Sequence, residues 1–492
     1  MRDRAVIAPG SATPEDARPH DLVVLGGGPG GYATALYGAA AGLRVALVEE
    51  DRVGGTCLHR GCVPAKELLQ TAEVLRTVRD AGAFGVRTGA PTGVPTVELP
   101  VAQARKQQIV DRLTKGLEGL LAGRSVDLFR SRGAVADAAP AHLLLADGTR
   151  LAGRALVLAT GSVPRELPGV PFDGERVLSS DHVLNLDRVP ARTVIVGGGA
   201  IGCEFASYLT DIGSQVTVLE ALPSILPGVD EQVSAVVGRV FRRRGVAVHT
   251  GVTVEAVEPH DDGVRVRYRP APSPAAGAAS GSANDPVTVD ADVVVVSIGR
   301  RPRSDGIGLA EAGIVCDERG HVTVDPYRRT SVPGVYAVGD LVPGPALAHV
   351  AFAEAIVAVR TILGEAAPPL DEDRVPWCIY CHPEVAFAGL TEAEARRRGH
   401  DVVTSTHRFG GNSRALILGQ PDGVVKLVAE RDGPLLGVHI AGPWATELLA
   451  EGYLAVNWEA TPAEIGGLIH PHPTLSEVFG EAALALTGRS LH

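Results

Sequence analysis

The chain has 492 residues, 45% of them apolar, too many for one hydrophobic core, so two to four domains are expected. Lysine and arginine number 46 against 57 aspartates and glutamates, a formal net charge of −11, which excludes the basic surplus that draws proteins to nucleic acid or anionic membrane faces. Six cysteines cannot staple so long a chain; they point to selected reactive thiols in a reducing compartment, the cytoplasm by default.

Residues 1–19 carry acidic groups and no apolar signal core, and read as a disordered tail. Asp21 to Leu25 is a short strand, a glycine-rich turn comes next, Tyr32 to Ala41 is a small-residue helix, and Arg44 to Glu49 is a second strand, together a βαβ opening. The uncharged run Leu22 to Leu43 is long enough to span a bilayer, but its seven glycines and Pro29 favour strand, turn and helix. Gly26, Gly28 and Gly31 form GxGxxG, which permits a tight turn, close approach of backbone to a pyrophosphate, and tight packing of helix on strand. Glu49, closing the next strand, is placed to bind a ribose.

Cys57 and Cys62 come next, spaced by about one helical turn. A helix beginning here would lower thiol pKa values through its amides and dipole. Zinc would need four ligands, and no second pair lies nearby at suitable spacing. Helical patterns then cover Lys66 to Val78 and Val101 to Ala122, and Leu156 to Ser162 is strand-like.

The opening arrangement returns at Thr193 to Val196, with Gly197, Gly199 and Gly202, a helix through Leu209, and a strand Gln215 to Glu220. Glu220 favours NAD, because a carboxylate repels a 2′-phosphate and Ala221 to Ser224 supply no arginine to bind one. The cluster Arg242 to Arg244 lies a helix later and reads as a solvated helix end. Val264 to Arg269 and Val287 to Val296 read as strands joined by a Pro/Ala/Gly/Ser segment, Pro270 to Pro286, that cannot bury a core. From Asp371, strands such as Gly423 to Leu427 and Leu435 to Ile440 alternate with helices such as Trp444 to Val456, an α+β domain. The fold class is α/β, with two Rossmann-like dinucleotide-binding domains and this C-terminal α+β domain.

The segment GGTCLHRGCVPAK, Gly54 to Lys66, resembles the redox-disulfide motif of the pyridine nucleotide disulfide oxidoreductases. The resemblance runs almost end to end: GVYAVGD, Gly334 to Asp340, resembles the family's second flavin motif, ALAH, Ala346 to His349, the segment beside the isoalloxazine, and HPHPTLSE, His470 to Glu477, the acid-base end of the site. It implies FAD and NAD as cofactors, and a division into an FAD-binding domain (20–165), an NAD-binding domain (166–290), a return to the central domain (291–370) and a dimerisation domain (371–492). Cys57, Cys62, His472 and Glu477 would be catalytic. Gly26, Gly28, Gly31, Glu49, Gly55, Thr56, Lys66, Gly133, Thr160, Gly161, Ser162, Asp340, Ala346, Leu347, Ala348 and His349 would bind FAD. Gly197, Gly199, Gly202, Glu204, Glu220, Val254 and Gly299 would serve NAD, with Glu204 paired to Lys66 beside the flavin. No metal is expected.

On the same resemblance a dihydrolipoyl group reduces the disulfide at Cys57, Cys62 passes electrons to the flavin, and His472, supported by Glu477 and contributed by the partner subunit of a homodimer, acts as base. The expected partners are lipoyl domains of 2-oxo acid dehydrogenase E2 or glycine cleavage H protein, with neither nucleic acid nor membrane. A reductase of another low-molecular-weight disulfide and a non-catalytic component of a multienzyme complex are the alternatives. The chain departs from the family at His59 and Arg60, where Asn-Val is commoner and which add positive charge near the thiols, and at Pro471, where Ala is commoner. Cys378 and Cys381 form a CxxC whose odd spacing on a strand points them to opposite faces. Cys203 and Cys316 read as inert small residues.

Overall fold

The computed structural model describes residues 20–87, 95–137, 141–271 and 285–491; the amino-terminal tail and most of the Pro270 to Pro286 segment lie outside them. The chain forms two compact units. One holds the chain up to Gly55 with Thr114–Gly161 and Pro302–Leu370; the other holds Thr56–Leu113, Ser162–Arg301 and Asp371–His492.

In the first unit the strand His20–Leu25 pairs in parallel with Val45–Glu49 on one side and Arg150–Leu158 on the other. Asp127–Arg130 extends the sheet beyond Val45–Glu49. The strand Val335–Ala337 joins the last residues of Arg150–Leu158, whose earlier residues turn back into the antiparallel strands Ala141–Leu145 and Gly133–Asp137. Leu22, Val23, Val24, Ala46, Leu47 and Val48 are wholly buried, as expected of a parallel sheet covered on both faces. That burial explains the uncharged run, and no helix among the described residues is long and apolar enough to cross a membrane. The helix Pro29–Ala40 starts with proline in its first turn and packs on Ala348–Leu363.

The second unit has three sheets. A parallel sheet runs Ala247–Thr250, Gln215–Glu220, Arg192–Val196, Val293–Val296, Val177–Leu178. An antiparallel one joins Val252–His260, Gly263–Pro270 and Val287–Ala291. The C-terminal sheet orders Trp377–Ile379, Glu384–Gly389, Leu435–Gly442, Val424–Glu430, Val402–Arg408 and carries helices Ala445–Asn457 and Glu477–Leu486. The single strand expected over Val287 to Val296 is thus two strands in different sheets. Asp292 breaks it, its carboxylate accepting hydrogen bonds from the amides of Ala191 (2.8 Å) and Arg192 (3.1 Å) and so pinning the chain where it enters the parallel sheet. The first unit takes up the chain again at Pro302. The redox segment after Thr56 belongs to the second unit, because the helix Cys62–Asp80 packs on Ala200–Ile212.

Ala200–Ile212 is buried on nearly every side, and its polar residues Glu204, Ser207 and Asp211 form one stripe. Lys66, Arg76 and Arg79 from the redox helix and Arg244 from beyond Glu231–Arg243 meet that stripe. A second buried charge cluster ties the C-terminal sheet to the nucleotide sheet: Lys426, 2% exposed, reaches Asp230 (2.9 Å), which caps the helix Glu231–Arg243, and Glu392 (2.7 Å). Removing one member strands a buried charge. K426M is therefore expected to cost about 3–5 kcal/mol in guanidinium unfolding, and D230N/K426M to recover part of the loss; a K426M protein as stable as the wild type would disprove the assignment.

Candidate active site

The two glycine turns have the same construction. Gly26 has φ +102°, and a Cβ there would lie 2.3 Å from the Ala159 carbonyl oxygen; Gly197 has φ +104°, and its Cβ would lie 2.5 Å from that of Ser297. At Gly31 and Gly202 a Cβ would drive into the carbonyl oxygens of Gly26 and Gly197, at 1.7 and 1.9 Å, so helix and strand touch only through glycine. The amides of Gly27 and Gly198 each donate to the carboxylate that ends the next strand, Glu49 and Glu220, at 2.6 Å. The other carboxylate oxygen takes the amide of Asp51 (2.9 Å) or Leu222 (2.8 Å). Each oxygen keeps lone-pair capacity for a ribose hydroxyl. Nothing lies within 4 Å of a Cβ built at Gly199, and only Gly55 within 4 Å at Gly28, so backbone at both helix starts is open to phosphate. These cradles fit one dinucleotide each.

The remaining residues expected at the first cradle fall around its sheet. Gly55, φ +57°, lies against Gly28. Gly133 opens an outer strand, where a Cβ would meet Leu25 and Val48, so its smallness serves packing. Thr160 donates its hydroxyl to the Arg303 carbonyl (2.8 Å). Asp340 sits in the short turn Gly339–Leu341, Leu347 caps the helix Ala348–Leu363, and His349 lies in its first turn. Ser162 and Thr56 fall in the second unit, where the Ser162 hydroxyl accepts from Arg300 (2.7 Å). At the second cradle Gly299, φ +107°, is open, and its carbonyl accepts from the Arg165 amide (3.0 Å). Val254 lies at a bulge in its strand and packs against the core beneath the parallel sheet.

Cys57 lies in the short helix Gly55–His59, and Cys62 is the first residue of Cys62–Asp80. Both are free thiols. The Cys57 thiol hydrogen-bonds to Cys62, and that bond, ahead of burial, pushes Cys57 well above the ordinary thiol range. The same bond pulls Cys62 down to about 7 against the effect of burial, with Lys66 assisting. The bond thus acts in opposite directions on the two thiols, raising Cys57 and lowering Cys62. Lys66 Nζ bonds both carboxylate oxygens of Glu204, at 2.8 and 2.9 Å, the pair the resemblance implied. His472 Nδ1 meets Glu477 Oε1 at 2.7 Å, and Glu477 Oε2 accepts the Thr474 amide at 2.7 Å. The His472 side chain is 69% exposed, open to a further partner.

Cys378 and Cys381 do face apart: Cys378 packs against the core of the C-terminal sheet, and Cys381 is buried in the core around Ala200–Ile212. Burial pushes the Cys378 thiol up to about 11 and raises Cys381 too. Cys203 is wholly buried, its thiol donating to the Gly198 carbonyl. No group of three metal-ligating side chains occurs among the described residues.

Sequence reading missed three supports. Tyr380 donates its amide to Glu204 (2.9 Å), and its ring lies under Lys66. Arg300 holds Ser162. Buried Glu354 meets Arg328 (3.0 Å) and accepts the Gly339 amide, fixing the turn that carries Asp340. Only Glu354 left a signal, a lone carboxylate in the apolar run AHVAFAEAIVAV.

The model of the pyridine nucleotide-disulphide oxidoreductases matches residues 20–355, and that of their dimerisation domain matches 375–483. The chain belongs to this family. A protein of Bacillus subtilis (strain 168) named dihydrolipoyl dehydrogenase is 40% identical over 489 residues, 97% of this chain and 100% of its own length. Another of that name from Thermus scotoductus is 39% identical, over 96% of this chain and 98% of its own. Among solved structures, LpdA from Mycobacterium tuberculosis matches with a TM-score of 0.84 at 27% identity, over 95% of this chain and 99% of its own. The HOCl-induced flavoprotein disulfide reductase RclA from Escherichia coli matches at 0.80 and 25%, over 94% and 99%.

Alanine at position 57 removes the S–H donor. In C57A the titration midpoint of Cys62 is expected to rise from about 7 toward the ordinary thiol range. Alkylation rates of the reduced protein against pH, resolved by peptide, measure it; an unmoved midpoint would mean the thiol pair is not the cause.

Proposed function

We propose that the chain is a homodimeric dihydrolipoyl dehydrogenase that oxidises protein-bound dihydrolipoyl groups and reduces NAD. The observation that carries this reading is the paired free thiols, Cys57 in a short helix and Cys62 at the start of the next, with Lys66 one turn on and held by Glu204, an arrangement that draws the Cys62 thiol down. The names carried by full-length relatives support the substrate. Its carrier is a lipoyl domain of 2-oxo acid dehydrogenase E2 or the glycine cleavage H protein, and the free reactive thiols suit a reducing cytoplasm.

The turn with Gly26, Gly28, Gly31 and Glu49 would hold FAD and the turn with Gly197, Gly199, Gly202 and Glu220 would hold NAD; FAD when bound would supply the two-electron acceptor for the reduced cysteines and the hydride donor to NAD. The chain's own residues prepare that transfer. In the oxidised enzyme a substrate thiolate attacks the Cys57 sulfur of the Cys57–Cys62 disulfide, and Cys62 leaves as thiolate, the better leaving group because its pKa is low. The second substrate thiol gives its proton to His472 and attacks the substrate sulfur of the mixed disulfide, releasing cyclic disulfide. Cys57 leaves and takes up a proton, as its raised pKa favours. Glu477 orients the imidazole and stabilises its cation. His472 serves the cysteines of its partner, consistent with its exposure in one chain and with the dimerisation domain. Glu220 selects NAD over NADP.

Anaerobic mixing of the yellow protein with dihydrolipoamide, then with NAD or NADP, tests the reading: rapid bleaching and NADH formation with NAD alone are expected. Bleaching by NADH but not by the dithiol would reassign the enzyme to another disulfide, and full dithiol:NAD activity in C57S would overturn the cysteine roles. G202A closes the second turn only, so it is expected to purify with flavin but to lose saturable NADH oxidation; G202A with wild-type NADH kinetics would remove NAD from that cradle.

A further inference from the structure

Lys66 is held by more than its carboxylate. Its Nζ lies 4.9 Å from the centroid of the Tyr380 ring, a cation–π distance, while the Tyr380 amide donates to the same Glu204 that takes the lysine's hydrogen bonds. One residue thus grips both members of the ion pair, the cation by its ring and the anion by its backbone. The segment carrying it is fixed on both sides. Ile379 and Cys381 are buried in the core around Ala200–Ile212. The His382 amide donates to the Ser207 hydroxyl (2.9 Å), and Arg244 donates to the His382 carbonyl (2.8 Å).

Tyr380 also lines an open cleft with Lys66, Glu73, Arg76, Glu384 and Trp444. Water in that cleft would solvate the ammonium and weaken its pull on the neighbouring thiol. The ring covers one face of the ammonium, with Nζ 4.9 Å from the ring centroid, while the Lys66 side chain stays 33% exposed.

We propose that Tyr380 is a positioning residue of the redox centre, whose aromatic face fixes the Lys66 ammonium against Glu204 and toward Cys62 and thereby sets the thiolate fraction of that cysteine. The inference rests on the redox role of Cys57 and Cys62. The charged or titratable groups acting on Cys62 are Cys57, Lys66 and Glu204; those acting on Lys66 are Glu204, Cys62 and Tyr380; those around Tyr380 are Cys378, Lys66, Glu384 and Glu447. Burial alone would lower the lysine's pKa, yet Glu204 above all, with Cys62, holds it above the ordinary value, so the cation persists where its field is needed.

The test compares Y380F, which keeps the ring, with Y380L and Y380M, which remove it while leaving the amide to Glu204. Holoenzyme is reduced by a small dithiol, desalted anaerobically and alkylated with iodoacetamide across pH, and Cys62 labelling is monitored by peptide mass spectrometry. Y380F is expected to keep the wild-type midpoint, while Y380L and Y380M move it up by about one pH unit, slowing labelling at pH 7 about fivefold. Ring-less variants that retain flavin and reproduce the wild-type pH profile would overturn the proposal, as would a Y380F profile shifted like theirs. A wild-type enzyme with no thiolate titrating near neutral pH would instead sink the redox-pair reading itself.

Discussion

A carboxylate shut away from water must be paired, and in the second unit that carboxylate is Glu204. It is 7% exposed on a helix whose start forms the second nucleotide turn. Its partners come from distant parts of the chain: Lys66 from the redox helix and the Tyr380 amide from the edge of the C-terminal sheet. A buried ion pair adds little net stability, because desolvating two charges offsets most of their attraction, but displacing one partner is costly. The pair therefore acts as a constraint on position. Helix, nucleotide turn and C-terminal sheet must come together in one register for Glu204 to be satisfied, and Lys66, one turn after Cys62 on its own helix, is fixed by that meeting.

The two nucleotide turns show how little of a dinucleotide site is free to vary. Both bring a carbonyl oxygen under the third glycine, both start their helix from a glycine with φ −72° and ψ −172°, and both end the next strand in a carboxylate that holds the turn by its amide. The two copies diverge only after that carboxylate. Beyond Glu49 the chain enters the cysteine motif, whereas Glu220 leads to a capped amphipathic helix, Glu231–Arg243. One device thus served twice, and the chemistry lies in what was attached to the first copy.

The glycine turns were legible in the sequence because sterics leave no other residue at Gly26, Gly31, Gly197 or Gly202, and the strands beside them because parallel strands are apolar on both faces. The cysteine pair was legible as a pair, but the unequal roles of its two sulfurs came only through the family resemblance, since spacing does not show which sulfur begins the long helix. Lys66 and Glu204 were joined only through the family resemblance; nothing local links residues so far apart. Tyr380 and Lys426 with Asp230 left no usable pattern for the same reason, and of Arg328 with Glu354 only the lone carboxylate in an apolar run showed. The break at Asp292 was hidden inside VTVDADVVVV, a run with strand character throughout, because it depends on a carboxylate meeting amides at 191 and 192. Local steric demands can be read from sequence; meetings of distant charges cannot.

The contrast between the two cysteine pairs separates spacing from function. Cys378 and Cys381 are closer in sequence than Cys57 and Cys62, yet they point into different cores, and burial raises both thiols. Desolvation by the surrounding protein opposes the ionisation of Cys62 too, although Cys62 reaches the surface. Its pKa is nevertheless drawn down by three converging influences: a donor thiol at Cys57, the amides at the start of a long helix, and a lysine one turn later whose own charge is kept by Glu204. Without Glu204, burial would pull the lysine's pKa down, and a weaker cation would draw the Cys62 thiol down less. The reactivity of one sulfur is therefore a property of the whole chain of contacts from Cys57 to Tyr380, which is why a residue on the C-terminal sheet can govern chemistry at the start of the redox helix.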